Sequence, residues 1–90
     1  MPDWSFPEFD WDDANVEHLA ERHGVFPEEA EQVFYNRAYV VRGRDRYRAF
    51  GHTDDGRYLL VVCMLRAPYV RVISARAMTA RERRFYDRNR

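Results

Sequence analysis

Residues 53–76 read TDDGRYLLVVCMLRAPYVRVISAR, and this stretch decides the fold. Its centre, Tyr58 to Leu65, is an unbroken apolar run of strand length, far short of the ~20 residues that a membrane-spanning helix needs. In front of it stands Thr53-Asp54-Asp55-Gly56, a group of turn formers ending in a residue free to take positive φ. Behind it, Ala67 and Pro68 interrupt the pattern before Tyr69 to Arg76 resumes as a β-branched strand. The reading is a strand buried on both faces, with antiparallel neighbours joined to it by short turns.

The same logic extends in both directions. Upstream, Tyr39–Arg42 and Arg46–His52 read as strands, with Gly43 and Asp45 in the turn between them. Downstream, Thr79-Ala80-Arg81-Glu82 matches a capping box, in which hydroxyl and carboxylate satisfy reciprocal backbone donors, so a helix should run to about Arg88. Nearer the N-terminus, Phe9 and Trp11 alternate with Asp10 and Asp12 as in a short strand. Asp12 or Asp13 then caps a helix whose stripe, Val16, Leu19, Ala20 and His23, ends at Gly24. Pro27 opens a second helix that buries Ala30, Val33 and Phe34 and ends near Asn36. Residues 1–7 are expected to be a loose arm. The order is strand, two helices, three or four meandering strands, helix. The class is therefore α+β, and 90 residues suit one domain, 1–90, with a single core.

A net charge of zero hides an asymmetry. Residues 1–36 carry ten acids against one base, a net −9, while residues 37–90 carry fourteen arginines against five acids, a net +9. Two readings stand open: the halves neutralise each other across the fold, or the basic half, interleaved with Tyr and Phe, faces a phosphate-bearing partner. All fifteen bases are arginine. Guanidinium clamps phosphate with paired hydrogen bonds but accepts no proton at neutral pH, so a general base must be His, Asp, Glu or Tyr. The single cysteine, Cys63, lies inside the central run and reads as a small core side chain, which suits a reducing cytoplasm. No secretory leader is visible, nor a glycine-rich phosphate loop or nucleophile elbow. His18 and His23 are five residues apart, roughly 140° around a helix, and are expected to point apart, so no metal site is expected.

Several strings, taken in order, resemble the BrnT toxin family of type II toxin–antitoxin systems. They are Phe9-Asp10-Trp11-Asp12, Arg22-His23-Gly24-Val25, and the set Phe26, Glu28, Glu29, Ala30, Val33 and Phe34. Gly56-Arg57 before Leu60-Val61-Val62, then Arg71-Val72-Ile73-Ser74-Ala75-Arg76, then Arg81-Glu82-Arg83-Arg84 with Tyr86, complete the match from Phe9 to Tyr86. The chain departs from that pattern at Asn15, where lysine is usual, at Leu19, where asparagine is usual, and at Ala77, where lysine is frequent.

The resemblance implies a RelE-like ribonuclease fold and a cytoplasmic toxin that inhibits translation. Cleavage would be metal-independent and free of cofactors, with a ribose 2′-hydroxyl attacking its own phosphate to leave a cyclic phosphate. It implies a BrnA-type ribbon-helix-helix antitoxin as partner in a hetero-oligomer, with RNA as the substrate and no membrane association. Phosphate orientation and charge stabilisation fall to arginine. Arg76, where the last strand meets the closing helix, is the first candidate. Arg83 and Tyr86, three apart on that helix, would present a guanidinium beside a phenol. Their alternative roles are a surface ion pair for Arg76 and packing for Tyr86. His23 is either a proton carrier or a cap on the last carbonyls of its helix. Arg48 and Arg66 are candidates for flanking phosphate contacts. A different class remains open: a protein-interaction or RNA-binding module that keeps the toxin fold without turnover.

Overall fold

The computed structural model describes Trp4 and residues 7–90. The chain forms β1 (Glu8–Phe9), α1 (Asp13–His23), α2 (Pro27–Tyr35), β2 (Tyr39–Arg42), β3 (Tyr47–His52), β4 (Tyr58–Arg66), β5 (Tyr69–Ala77) and α3 (Ala80–Asn89). One sheet holds every strand in the order β1-β5-β4-β3-β2. As expected for a meander, β2 to β5 pair antiparallel. The exception is β1, which pairs parallel with the start of β5 through Glu8↔Tyr69 and Phe9↔Val70. Two helices separate β1 from the next strand, so it reaches the sheet by a crossover rather than a hairpin.

Strand alternation divides the core, which corrects the expectation of a single one. Side chains at Ala49, Leu59, Val61, Cys63, Val70, Val72 and Ala75 meet Leu19, Val25, Ala30, Val33 and Phe34 of the α1/α2 layer. The intervening positions Phe50 and Leu60 face the other way, against Met78 and Tyr86, with Tyr39, Val41, Tyr58 and Phe85 around them. The sheet is thus sandwiched between α1/α2 and α3. The layers pack tightly at Gly51, where a Cβ would lie 2.8 Å from Val33 Cγ1.

Local chemistry fixes the helix ends. Asp12 caps α1, and Asn15 returns the bond: its Oδ1 accepts the Asp12 N–H at 2.8 Å. The Asn15 amide also donates to Asp10 O at 3.0 Å and Val72 O at 3.2 Å. The second bond ties α1 to the edge of β5 just beyond the point where β1 ends. Gly24 closes α1 at φ +62°, and Arg57 donates to its carbonyl at 3.2 Å. Residues 1–3 and 5–6 of the expected arm lie outside the described residues. Trp4 is docked, its ring 5.9 Å from Phe34 and 5.1 Å from Tyr47.

Candidate functional site

The sequence dipole becomes a spatial one. Asp13, Glu17, Glu21, Glu28, Glu29 and Glu31 all lie on α1 and α2, on one side of the sheet. Strands β2 to β5 carry no carboxylate. Of the five acids after residue 36, Asp45, Asp54 and Asp55 occupy turns. The other two, Glu82 and Asp87, are paired with Arg76 and Arg90. Only two of the fourteen arginines reach across to the acidic half among the described residues. Arg57 meets Glu29 at 3.1 Å, and Arg71 meets Asp12 at 2.9 Å and Asp10 at 3.4 Å. The hydrogen bond from Arg71, followed by that from the Asn15 N–H, holds the Asp12 carboxyl below its ordinary value. Two bridged arginines do not neutralise nine charges, so the α3 side of the sheet stays basic.

Arg76 stands on the strand next to α3 and is gripped end-on. Its Nη1 and Nη2 donate to the two Glu82 oxygens at 2.7 and 2.8 Å, and Nη1 also donates to Ala77 O at 3.1 Å. That bidentate grip pulls the Glu82 carboxyl down to about 2 and pushes Arg76 further up. A guanidinium has five N–H groups, so the side edge, Nε–H with the second Nη2–H, is left for another bidentate partner such as a phosphate.

A second cluster surrounds Tyr58. The Arg83 guanidinium sits 4.3 Å above the Tyr58 ring, and Arg90 lies 6.0 Å from the same ring and 5.0 Å from that of Tyr86. Tyr86 shares the helix face with Arg83, as the spacing requires. It is nevertheless only 1% exposed, with its ring perpendicular to Tyr58 at 5.7 Å. The phenol is a packing group that braces Tyr58, not one offered at the surface. Beside Tyr58, across the β3–β4 hairpin, lies the half-buried His52 ring at 6.5 Å. His52 Nδ1 is 3.0 Å from Thr53 O. A carbonyl only accepts, so this contact is a hydrogen bond when Nδ1 carries the proton, and in that neutral tautomer Nε2 is the ring's acceptor.

Arg48 is exposed, 5.8 Å from the Phe50 ring, in the row that continues through Val62 and Ser74. Arg66 lies at the far end of β4, opposite Tyr69. His23 ends α1, in the layer on the opposite side of the sheet from α3, apart from the arginines and Tyr86 it was grouped with. The expectation that His18 and His23 point apart is corrected: their rings are 6.2 Å apart and nearly perpendicular. Side chains on a helix lean toward its N-terminus, so the last ring of α1 swings back over the preceding turn. No three-group cluster of His, Cys, Asp or Glu able to hold a metal is present among the described residues. Cys63 is buried, and burial pushes its thiol up to about 12, as befits a core side chain. Sequence reasoning passed over His52 and Tyr58, although the five-residue turn between them was a sign that they pair.

Comparison with known proteins gives a concordant picture. A family model described as "Ribonuclease toxin, BrnT, of type II toxin-antitoxin system" matches residues 11–82. The crystal structure of the Brucella abortus ribonuclease toxin BrnT superposes with a TM-score of 0.68 at 22% identity. The superposition covers 81% of this chain and 97% of that one, so the two share a fold. No curated protein matches the sequence.

Proposed function

Because the chain belongs to the family of BrnT ribonuclease toxins of type II toxin–antitoxin systems, we propose that it cuts RNA on the α3 side of its sheet, without a metal. The observation that carries this reading is the carboxylate-free set of strands presenting Arg48 and Arg76 beside Arg83 and His52. In the proposed reaction His52 Nε2 takes the proton of a ribose 2′-hydroxyl, and the 2′-oxygen bonds to phosphorus. The P–O5′ bond breaks, leaving a 2′,3′-cyclic phosphate, and the 5′-oxygen departs as a hydroxyl protonated from solvent. Arg76, through its free side edge, and Arg83 bind the non-bridging oxygens and stabilise the phosphorane. Arg48 holds a flanking phosphate and Arg66 one farther along the strand, and Tyr86 braces the ring on which Arg83 rests.

In the same proposal a BrnA-type antitoxin covers this basic face in a hetero-oligomer, and the freed toxin stops translation in the cytoplasm. The test is the purified chain on RNA with a chelator present. Ends carrying cyclic phosphate and 5′-hydroxyl should appear, and Arg76→Ala and Arg83→Ala should each suppress them. One observation favours the second reading, a non-cleaving interaction module: the end-on edge of Arg76 is already taken by Glu82. Intact RNA in that assay, together with retained antitoxin binding, would select it.

A further inference from the structure

The β2–β3 turn carries Arg42, Arg44 and Arg46 within five residues, all exposed. None of them has an acidic or hydrogen-bonding side-chain partner among the described residues. The turn is tight: Gly43 N–H donates to Arg46 O at 2.7 Å, and a Cβ on Gly43 would lie 2.8 Å from that oxygen. Glycine therefore lets the three guanidinium-bearing positions crowd together. With Tyr47 and Leu65 they line a shallow cleft of about 220 Å³. The adjoining β4–β5 hairpin ends beside them and adds the exposed Arg66, with Leu65 38% and Tyr69 46% exposed. Among the described residues, the carboxylates at this end are Asp45 in the turn and Glu8 opposite Tyr69. Four unpaired guanidiniums beside an exposed aromatic ring is the composition that holds a single-stranded nucleic-acid backbone while a base stacks.

The position of this tip matters as much as its chemistry. Leu60 pairs with Arg76 and Arg66 with Tyr69, so six residues of β4 separate the Arg76 row from the tip, roughly 20 Å of strand. Alternation puts Arg48 and Arg46 on the α3 side between them, while Arg42, opposite Tyr47, leaves the sheet on the other face and reaches the tip around its edge. We infer that the hairpin tip, Arg42, Arg44, Arg46 and Arg66 with Tyr69, is a second RNA-binding subsite that grips phosphates several nucleotides from the cleavage position. This rests on the ribonuclease reading for its substrate, but it concerns binding and not chemistry. It makes the enzyme selective for RNA long enough to span both places.

The experiment uses the full chain and its triple variant Arg42→Gln, Arg44→Gln, Arg46→Gln, with single-stranded RNAs of three and twelve nucleotides. Binding is read by fluorescence anisotropy across a salt series, and cleavage separately by end analysis. Each phosphate contact on a single strand contributes about 0.7 to the slope of log K against log salt. The triple variant should therefore flatten the slope for the twelve-mer by about 2 and weaken binding at low salt at least tenfold. Its handling of the trimer should be unchanged, and Tyr69→Ala should weaken the twelve-mer alone. Equal twelve-mer binding by variant and parent overturns the inference, as does an equal loss on both lengths. Loss of antitoxin affinity with RNA binding intact would also overturn it and make the tip a protein contact. A parent chain that binds the twelve-mer through the tip but cuts nothing would sink the ribonuclease reading and leave the subsite standing. Circular dichroism on the variant, and Arg44→Glu as a single substitution in the exposed turn, keep misfolding from imitating the expected result.

Discussion

Glu82 grips Arg76 with both carboxylate oxygens, at 2.7 and 2.8 Å, while the same carboxylate accepts the Thr79 backbone N–H at 2.9 Å. One side chain thus starts α3 and aims the guanidinium that lies next to it in space. Glu82→Gln keeps the capping acceptor but loses the charge-assisted pair. Because Arg76 is 42% exposed, the stability cost should stay within about 1 kcal/mol. Its effect on cleavage should be larger in proportion. Arg76→Ala, which removes a transition-state donor, should lower kcat by about 10²–10³. The Gln variant should fall between it and the parent, as measured by initial rates on a labelled RNA. A Gln variant faster than the parent would show that Glu82 restrains Arg76 instead of aiming it.

The same pair sets an acid limit on stability. The Glu82 carboxyl is held at about 2 against an ordinary 4.5, so between those values the unfolded chain binds more protons than the folded one. Its stabilisation is complete above about pH 4.5 and drains away as pH falls toward 2. Asp12, lowered by its bond from Arg71, acts in the same direction. Melting temperature followed from pH 7 to pH 2 should show the parent and Glu82→Gln curves converging below pH 4.5. A constant gap down to pH 2 would mean that the pair contributes nothing pH-dependent.

What was legible in the sequence was local. The Thr79–Glu82 cap, the Gly24 stop and the turn at Gly56 depend on residues within a few positions of one another, and all three stand where the sequence put them. Arg76 and Arg83 could be picked because they sit at the ends of such elements. His52 and Tyr58 were not picked, since α3 packs on Tyr58 with residues more than twenty positions away and His52 gains its place from lying beside that ring. The parallel seat of β1 on β5, Glu8 with Tyr69, depends on the same kind of distant contact. Tyr86 shows the converse: helical spacing puts it beside Arg83, but only the sheet beneath decides that it is buried.

Asn15, where the resemblance led to the expectation of lysine, is 5% exposed and makes bonds in three directions. It accepts from Asp12 N–H and donates to Asp10 O and Val72 O. Asn15→Ala leaves the Asp12 cap but removes the reciprocal bond to Asp12 N–H and strands the Val72 carbonyl at the β5 edge, so a loss of about 2–3 kcal/mol is expected by urea unfolding. Asn15→Asp retains the acceptor and loses both donors. It should therefore destabilise as well, and a variant as stable as the parent would show that water replaces the amide.

At Gly51 the sheet leaves no room beneath α2 for a side chain, and the geometry says which neighbour resists one there. A Cβ would meet Val33 Cγ1 at 2.8 Å and Val33 O at 3.1 Å, with Ala38 Cα at 3.6 Å. The methyl of Val33 can be removed, but its carbonyl cannot. Gly51→Ala should cost about 1–3 kcal/mol by overpacking. Val33→Ala alone opens a cavity and should cost a similar amount. The two sites touch, so their effects should not add: the double variant should be more stable than the sum of the single costs implies. Rescue should stop short of the cost of Val33→Ala alone, because the 3.1 Å approach to the carbonyl survives it. Strict additivity in a denaturant-unfolding cycle would place the strain at Ala38 or in the strand itself, and would remove Val33 as the residue that sets the distance between α2 and β3.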